Sequence, residues 1–399
     1  MQNAVLIAEN LYWLGGSDRK LSFFEGLYPV PRGISYNAYL LMDEKTVLFD
    51  TVDSAVGDAF LNNLEAALGG RSLDYLIVQH MEPDHSATFL RTAEKYPDAT
   101  VVVNKKSAQM LAQYYGFCGE RIRTVAENEE LCTGKHTLKF IFAPMVHWPE
   151  VMFTYDGISG TLFSADAFGT FGALEGSLFS EDYPFEQAYL PEARRYYTNI
   201  VGKYGVQVQA ALKKTEGLSI ERICPLHGPV LRKDAAKMVE KYRLWSGYQP
   251  EEKGAAVFYA SIYGHTQSAA ELLASALAQK GISVCVYDVS VTDCSELLAQ
   301  AFRVSHLAFA SVTYNGGLFP KMETLINDLK AHGLRGRTYA LIENGSWAPA
   351  AGKIMAETLS TMKEFTQVGE TATLLSAGKQ EQEQAILALA EAIANDIKK

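Results

Sequence analysis

The feature that most constrains this chain is an alternation in its last third. Five short apolar runs, at residues 255–260, 282–287, 306–312, 338–342 and 371–375, each precede a helical pattern, at about 267–280, 295–303, 321–332, 351–363 and 380–397. Parallel neighbours in a sheet need a crossover, and a helix supplies one. The alternation therefore predicts a doubly wound, five-stranded parallel sheet over residues 251–399. Just before it, Trp245-Ser-Gly-Tyr-Gln-Pro-Glu-Glu-Lys-Gly254 gathers two glycines, a proline and three charges, which is linker composition. The boundary falls near Tyr248–Lys253 and leaves residues 1–250 as a first domain, long enough to bury its own core.

The first domain opens with short strands at Ala4–Ala8, Leu11–Leu14, Tyr36–Leu41 and Thr46–Phe49. Strand–helix units follow, Tyr75–Gln79 before a helix from Ala87 and Thr100–Val103 before Ser107–Gly116, then strands at Leu138–Phe142, Val151–Tyr155, Thr161–Ser164 and Arg222–Cys224. Mixed strands with interspersed helices predict an α/β fold in which two sheets are sandwiched between helix layers. The 399 residues carry 36 basic against 46 acidic side chains, a net charge of −10, and no basic run exceeds a pair. Nucleic acid is therefore not the expected partner. No apolar run approaches the ~18 residues of a membrane span, and the N-terminus lacks a basic, signal-like start. The five cysteines (Cys118, Cys132, Cys224, Cys285 and Cys294) are scattered and never spaced C-x-x-C. They form neither a disulfide framework nor a rubredoxin-type iron site, and the expected compartment is a reducing cytoplasm.

Chemistry concentrates in two places. After the strand Tyr75–Gln79 comes His80-Met-Glu82-Pro-Asp84-His85, four potential ligands in six residues at a strand's carboxyl end. His147, Asp166 and His227 follow other strands and extend the set to four imidazoles and three carboxylates, enough for two metal ions sharing a carboxylate. Taken singly, these three read equally well as satisfied polar residues; they gain weight by joining the cluster. His136, His306 and His332 are expected to be ordinary satisfied residues, and Cys224 to be core. An all-nitrogen and oxygen shell without thiolate excludes an iron–sulfur site. Three carboxylates and a bridging hydroxide sum to −4, which balances two divalent ions and favours oxidation to trivalent ones, so iron suits this shell better than zinc.

In the second domain, Ser261, Ile262, Tyr263, Gly264, His265 and Thr266 join a strand to a helix and offer hydroxyls and backbone N–H groups to a phosphate. Walker A spacing and G-x-G-x-x-G are both absent. Two further loops sit at the same carboxyl edge: Thr313, Tyr314, Asn315, Gly316 and Gly317, and then Asn344, Gly345, Ser346 and Trp347. Tyr314 and Trp347 offer faces for a flat heterocycle, while the glycines let backbone approach it; ordinary loop packing is the competing reading for both aromatics.

The pattern H-x-E-x-D-H at residues 80–85, with later His147, Asp166 and His227, resembles the flavodiiron proteins (A-type flavoproteins), and the resemblance covers essentially the whole chain. Hydrolytic relatives of the fold carry H-x-H-x-D-H, so Glu82 is the distinguishing mark. The resemblance implies an αββα metallo-β-lactamase-like sandwich followed by a flavodoxin-like FMN domain. It implies that His80, Glu82 and His147 bind one iron, that Asp84, His85 and His227 bind the other, and that Asp166 bridges them. The residue matching His85 is bound in some members and swung away in others. It also implies reduction of dioxygen to water, of nitric oxide to nitrous oxide, or both, as protection of an anaerobe or microaerophile against oxidative and nitrosative stress. Electrons would come from a separate donor such as rubredoxin, because no cysteine pairs follow residue 250. A head-to-tail homodimer or dimer of dimers is implied too, with Trp148 near the junction. Two other readings remain open at this point: a di-zinc hydrolase with a regulatory flavodoxin module, and a non-enzymatic electron carrier.

Overall fold

The computed structural model describes residues 4–399. They divide into two compact units, one running up to Tyr197 and including Val206–Arg243, the other combining Thr198–Gly205 with Leu244–Lys399. The first unit contains a seven-stranded sheet in the order Val5–Ala8, Leu11–Trp13, Tyr39–Met42, Thr46–Phe49, Tyr75–Ile77, Thr100–Val103, Ile122–Thr124. Its first four strands pair antiparallel and the rest parallel. A five-stranded sheet, Glu130–Cys132, Thr137–Phe142, Met152–Asp156, Thr161–Phe163 and Arg222–Cys224, is antiparallel except for its last pair. One core cluster takes side chains from both sheets: Tyr39, Val47, Phe49, Ile77 and Val102 from the first, and Leu138, Phe140, Met152 and Phe163 from the second. Phe49 and Phe163 stack with ring centroids 3.8 Å apart. The two sheets thus face each other, helices flank them, and the arrangement is the αββα sandwich of the metallo-β-lactamase type.

Local chemistry explains where this unit departs from the sequence reading. Pro83, with its φ preset for a first helical position, starts a one-turn helix Pro83–Ser86, so the helix begins before Ala87. The run Tyr36–Leu41 is split. Ile34–Tyr36 pairs with Gly16–Asp18 in a separate ribbon, and Tyr39–Met42 joins the large sheet. Ile122–Thr124 and Glu130–Cys132, three residues each, are too short to show a periodicity.

In the second unit the sheet order is Val284–Asp288, Glu252–Ala260, Val304–Tyr314, Arg337–Asn344, all parallel. The last position is filled by two short strands, Phe365–Gln367 and Ala372–Leu374, both parallel to Arg337–Asn344. The sequence shows one run there; Gly369, at φ 68°, lies in the break between the two pieces. The helices His265–Gln279, Cys294–Arg303, Pro320–Ala331, Ala351–Leu359 and Gln380–Ile397 complete a flavodoxin-like doubly wound fold. Among the described residues, no helix is long and apolar enough to cross a membrane.

Candidate di-metal centre and cofactor cavity

Three strands of the sandwich end in the same way. His80 stands three residues beyond Ile77, Asp166 three beyond Phe163 and His227 three beyond Cys224. Phe163 and Cys224 are register partners, so Asp166 and His227 leave adjacent strands at equal offsets. Asp50 fixes the first of these loops, its buried carboxylate accepting the Gln79 N–H at 2.7 Å, the Gln79 side-chain amide at 2.8 Å and the His80 N–H at 3.3 Å. The helical turn that follows is clamped by Ser86 Oγ donating to the Met81 carbonyl and Thr51 Oγ1 donating to the His85 carbonyl. His147 comes from the loop between Thr137–Phe142 and Met152–Asp156. Met145 at φ 63°, Asp50 at φ 54° and Ala165 at φ 48° are non-glycine residues in the left-handed region, held beside the converging side chains.

All seven sequence-predicted side chains meet, in two groups: His80, Glu82, His147 and Asp166, and Asp84, His85 and His227. Within each group the candidate ligand atoms lie within 4.8 Å of one another. Glu82 Oε2 is 3.2 Å from His80 Nε2 and 3.0 Å from His147 Nε2. Asp84 Oδ2 is 3.2 Å from His227 Nε2 and 3.4 Å from His85 Nε2. Asp166 faces both groups: Oδ2 lies 3.2 Å from His147 Nε2, and Oδ1 lies 3.0 Å from His85 Nε2. His136, His306 and His332 lie elsewhere, against Asp156, Asp396 and Asp328, and Cys224 is buried in the core.

The donor set fits a pair of cations better than a network of hydrogen bonds. Both oxygens of Asp84 and Oδ1 of Asp166 are buried without a hydrogen-bond partner, although imidazole nitrogens stand close by. Atoms so near, and not aligned for hydrogen bonding, share a common focus that a metal ion would satisfy. The electrostatics agree. Burial opposes charge on His80, yet Asp166, Glu150 and Glu82 push its pKa well above the ordinary imidazole value. Burial likewise opposes charge on His147, but hydrogen bonds to Asp166 and Glu82 raise it to about 9. Burial would raise Glu82 and Asp166, but the imidazoles hold both carboxyls well below their usual range. Protons thus balance the carboxylates in the place that cations would take.

Several residues of this site carried no signal of their own in the sequence. Glu150 hydrogen-bonds His80 Nδ1 at 2.8 Å; its position three residues after His147 was the available clue. Glu25 lies between the short paired strands Phe23–Phe24 and Tyr28–Pro29, and burial followed by Glu82 raises its pKa to about 7. Phe24, Tyr36 and Tyr196 wall the His227 ring, with centroids 5.4, 5.7 and 5.5 Å away. Trp148 packs edge-on to His80 at 5.4 Å.

The second unit holds a cavity of about 610 Å³, within the usual size of a cofactor site. All fifteen predicted cofactor residues line it except Gly264 and Gly317; Val312, Ala348 and Ser376 line it as well. Gly264, at φ 89°, takes the position before His265–Gln279 and leaves that helix's first N–H groups facing the loop. Thr313 Oγ1 accepts the Ala350 N–H at 2.9 Å, tying the second loop to the start of Ala351–Leu359. Trp347 is 92% exposed and Tyr263 89%, unusual for rings of this size and suited to stacking on a flat group.

Comparison with known proteins agrees with both halves. Residues 34–228 match the family described as ODP family beta lactamase, and residues 257–388 match flavodoxin. The chain is 31% identical to a nitric oxide reductase of Moorella thermoacetica, over 91% of each sequence. This chain belongs to the flavodiiron proteins. Within the family, the rubredoxin oxygen:oxidoreductase of Desulfovibrio gigas superposes with a TM-score of 0.92 at 25% identity, covering 99% of both chains. A flavoprotein of Thermotoga maritima gives 0.90 at 25% identity, over 99% of this chain and 98% of the other. As a flavodiiron protein the chain is an oxidoreductase, and its cofactors are FMN and a non-haem pair of irons.

Proposed function

We propose that this flavodiiron protein reduces dioxygen to water, nitric oxide to nitrous oxide, or both, with electrons from a separate rubredoxin-like donor. His80, Glu82 and His147 would hold one iron, Asp84, His85 and His227 the other, and Asp166 would be shared between them. The observation that carries this reading is the division of Asp166, with one oxygen facing each group of imidazoles. Loops 261–266, 313–317 and 344–347 would hold FMN, the first offering its hydroxyls and N–H groups to a phosphate and Tyr314 and Trp347 their faces to a ring. The domain boundary lies near residue 250, as linker composition suggests.

When bound, FMN and the two irons each store two electrons, which supplies the four needed for O2 + 4 H⁺ + 4 e⁻ → 2 H2O, or the two for 2 NO + 2 H⁺ + 2 e⁻ → N2O + H2O. The chain's own part is to orient and to insulate. Asp50 and Glu150 hold the His80 loop and ring in place. Phe24, Tyr36 and Tyr196 keep bulk water from the His227 side. Trp148, beside His80, lies at the face where a head-to-tail second copy would present its flavin. A reducing cytoplasm suits a protein with five unpaired cysteines.

The test is side-by-side anaerobic consumption of nitric oxide and of added dioxygen by holoprotein supplied with reduced rubredoxin. At least one gas is consumed with stoichiometric water or nitrous oxide. Hydrolytic turnover with two zincs per chain, or slow reoxidation with peroxide release, would replace this reading by a hydrolase or a carrier.

A further inference from the structure

The two groups of ligands are supported differently from behind. His80 Nδ1 lies 2.8 Å from Glu150 Oε1, and both side chains are fully buried. The same oxygen accepts the Met81 N–H at 2.9 Å. Glu150 is itself held: the Asn104 amide donates to its carbonyl, while Asn104 Oδ1 caps the helix Lys105–Tyr115 by accepting from Lys106 N and Ser107 N at 2.9 Å. On the other side, His227 Nδ1 faces the neutral carbonyl of Ser35 at 2.8 Å, and His85 Nδ1 is buried without a partner. The converging carboxylates are balanced, with Glu82 in one group, Asp84 in the other and one oxygen of Asp166 toward each. Behind the Nδ1 atoms of His80, His227 and His85, the one charged group is therefore Glu150.

We propose that Glu150 is a positioning residue that makes the two iron sites unequal, directing His80 Nε2 at its iron and making that iron the first to be oxidised and the last to be reduced. The inference rests on the reading that an iron pair occupies the cluster. A carboxylate behind an imidazole strengthens it as a donor and favours the more highly charged ion, whereas a carbonyl dipole does so less. In the half-reduced protein, the single electron passed on from the flavin therefore resides on the iron held by Asp84, His85 and His227. The iron held by His80, Glu82 and His147 stays ferric.

Glu150→Gln keeps an oxygen for His80 Nδ1 and Met81 N–H but removes the charge. In the holoprotein, an EPR-monitored redox titration should show two irons per chain still bound and the lower iron couple shifted upward. A tenfold loss of the preference for ferric over ferrous iron reads as about 59 mV. The half-reduced signal should persist over a narrower range of potential, and the flavin couples serve as an unmoved internal reference. Glu150→Asp, which keeps the charge but withdraws it by one methylene, should shift the same couple by less, and it decides the matter if the Gln variant does not fold. Iron couples identical to the unaltered protein in a variant retaining two irons would overturn the inference. Failure of the unaltered protein to bind iron would instead overturn the reading of the site on which it rests.

Discussion

Asp166 reaches both imidazole groups, and its surroundings show what each side chain of the centre must do. Its carboxylate is buried, is held ionised by His85 and His80, and has one oxygen that accepts no hydrogen bond. Asp166→Ala removes the carboxylate that faces both groups, and on the proposed reading iron affinity is expected to fall by roughly 100-fold or more, beyond the range seen when a ligand's supporting partner is lost; iron analysis after dialysis checks this. Glu82→Gln removes one anion but leaves the other six side chains, so partial iron loss with FMN still at one per chain is expected from the same analysis. A pH effect follows in the metal-free protein. The His147 pKa is raised to about 9 from an ordinary value near 6.5, so its pairing with Asp166 and Glu82 stabilises the fold fully below the ordinary value. That contribution is lost as pH rises through about 9. Thermal denaturation of metal-free protein should thus show a Tm that falls between pH 7 and 9.5, and the fall should be smaller in His147→Gln.

At the level of elements, the centre is built from strand ends. His80, Asp166 and His227 share one offset beyond their strands, and the loops hold by backbone devices rather than by packing alone. Gly228 shows how little room there is. It sits at φ 80°, its N–H donates to Ser35 Oγ, and an added Cβ would lie 2.2 Å from Thr170 Cγ2. Gly228→Ala should cost about 1–3 kcal/mol and displace His227, lowering both Tm and iron content. These strand ends also explain what the sequence made legible. The cluster at residues 80–85 is local, so six consecutive residues reveal it. His147, Asp166 and His227 lie 67, 86 and 147 positions beyond His80 and acquire meaning only when the sandwich brings their loops together. Glu150 and Glu25 act through other side chains, and beyond the nearness of Glu150 to His147 in the sequence nothing marks such a role. The parallel sheet of the second unit was legible because each strand is followed by its own helix. The split edge at 365–374 was not, because a three-residue strand carries no period.

Taken whole, the chain joins a buried anionic centre able to hold two irons to a cavity able to hold FMN, and each half makes chemical sense of the other. A hydrolytic centre would have no use for a flavin, while a pair of irons that cycles between charges needs a source of electrons. The rings at the cavity mouth, Trp347 and Tyr263, are exposed in a single chain. Trp347→Ala should weaken FMN retention by roughly fivefold, from the loss of about 1 kcal/mol of stacking, as flavin fluorescence on dilution would show. The central claim, that one chain stores electrons in two separate centres, is tested most directly by anaerobic reductive titration of the holoprotein, counting electrons taken up per chain. The account predicts four, two on the flavin and two on the irons. An end point of two, with the flavin alone reduced, would contradict it.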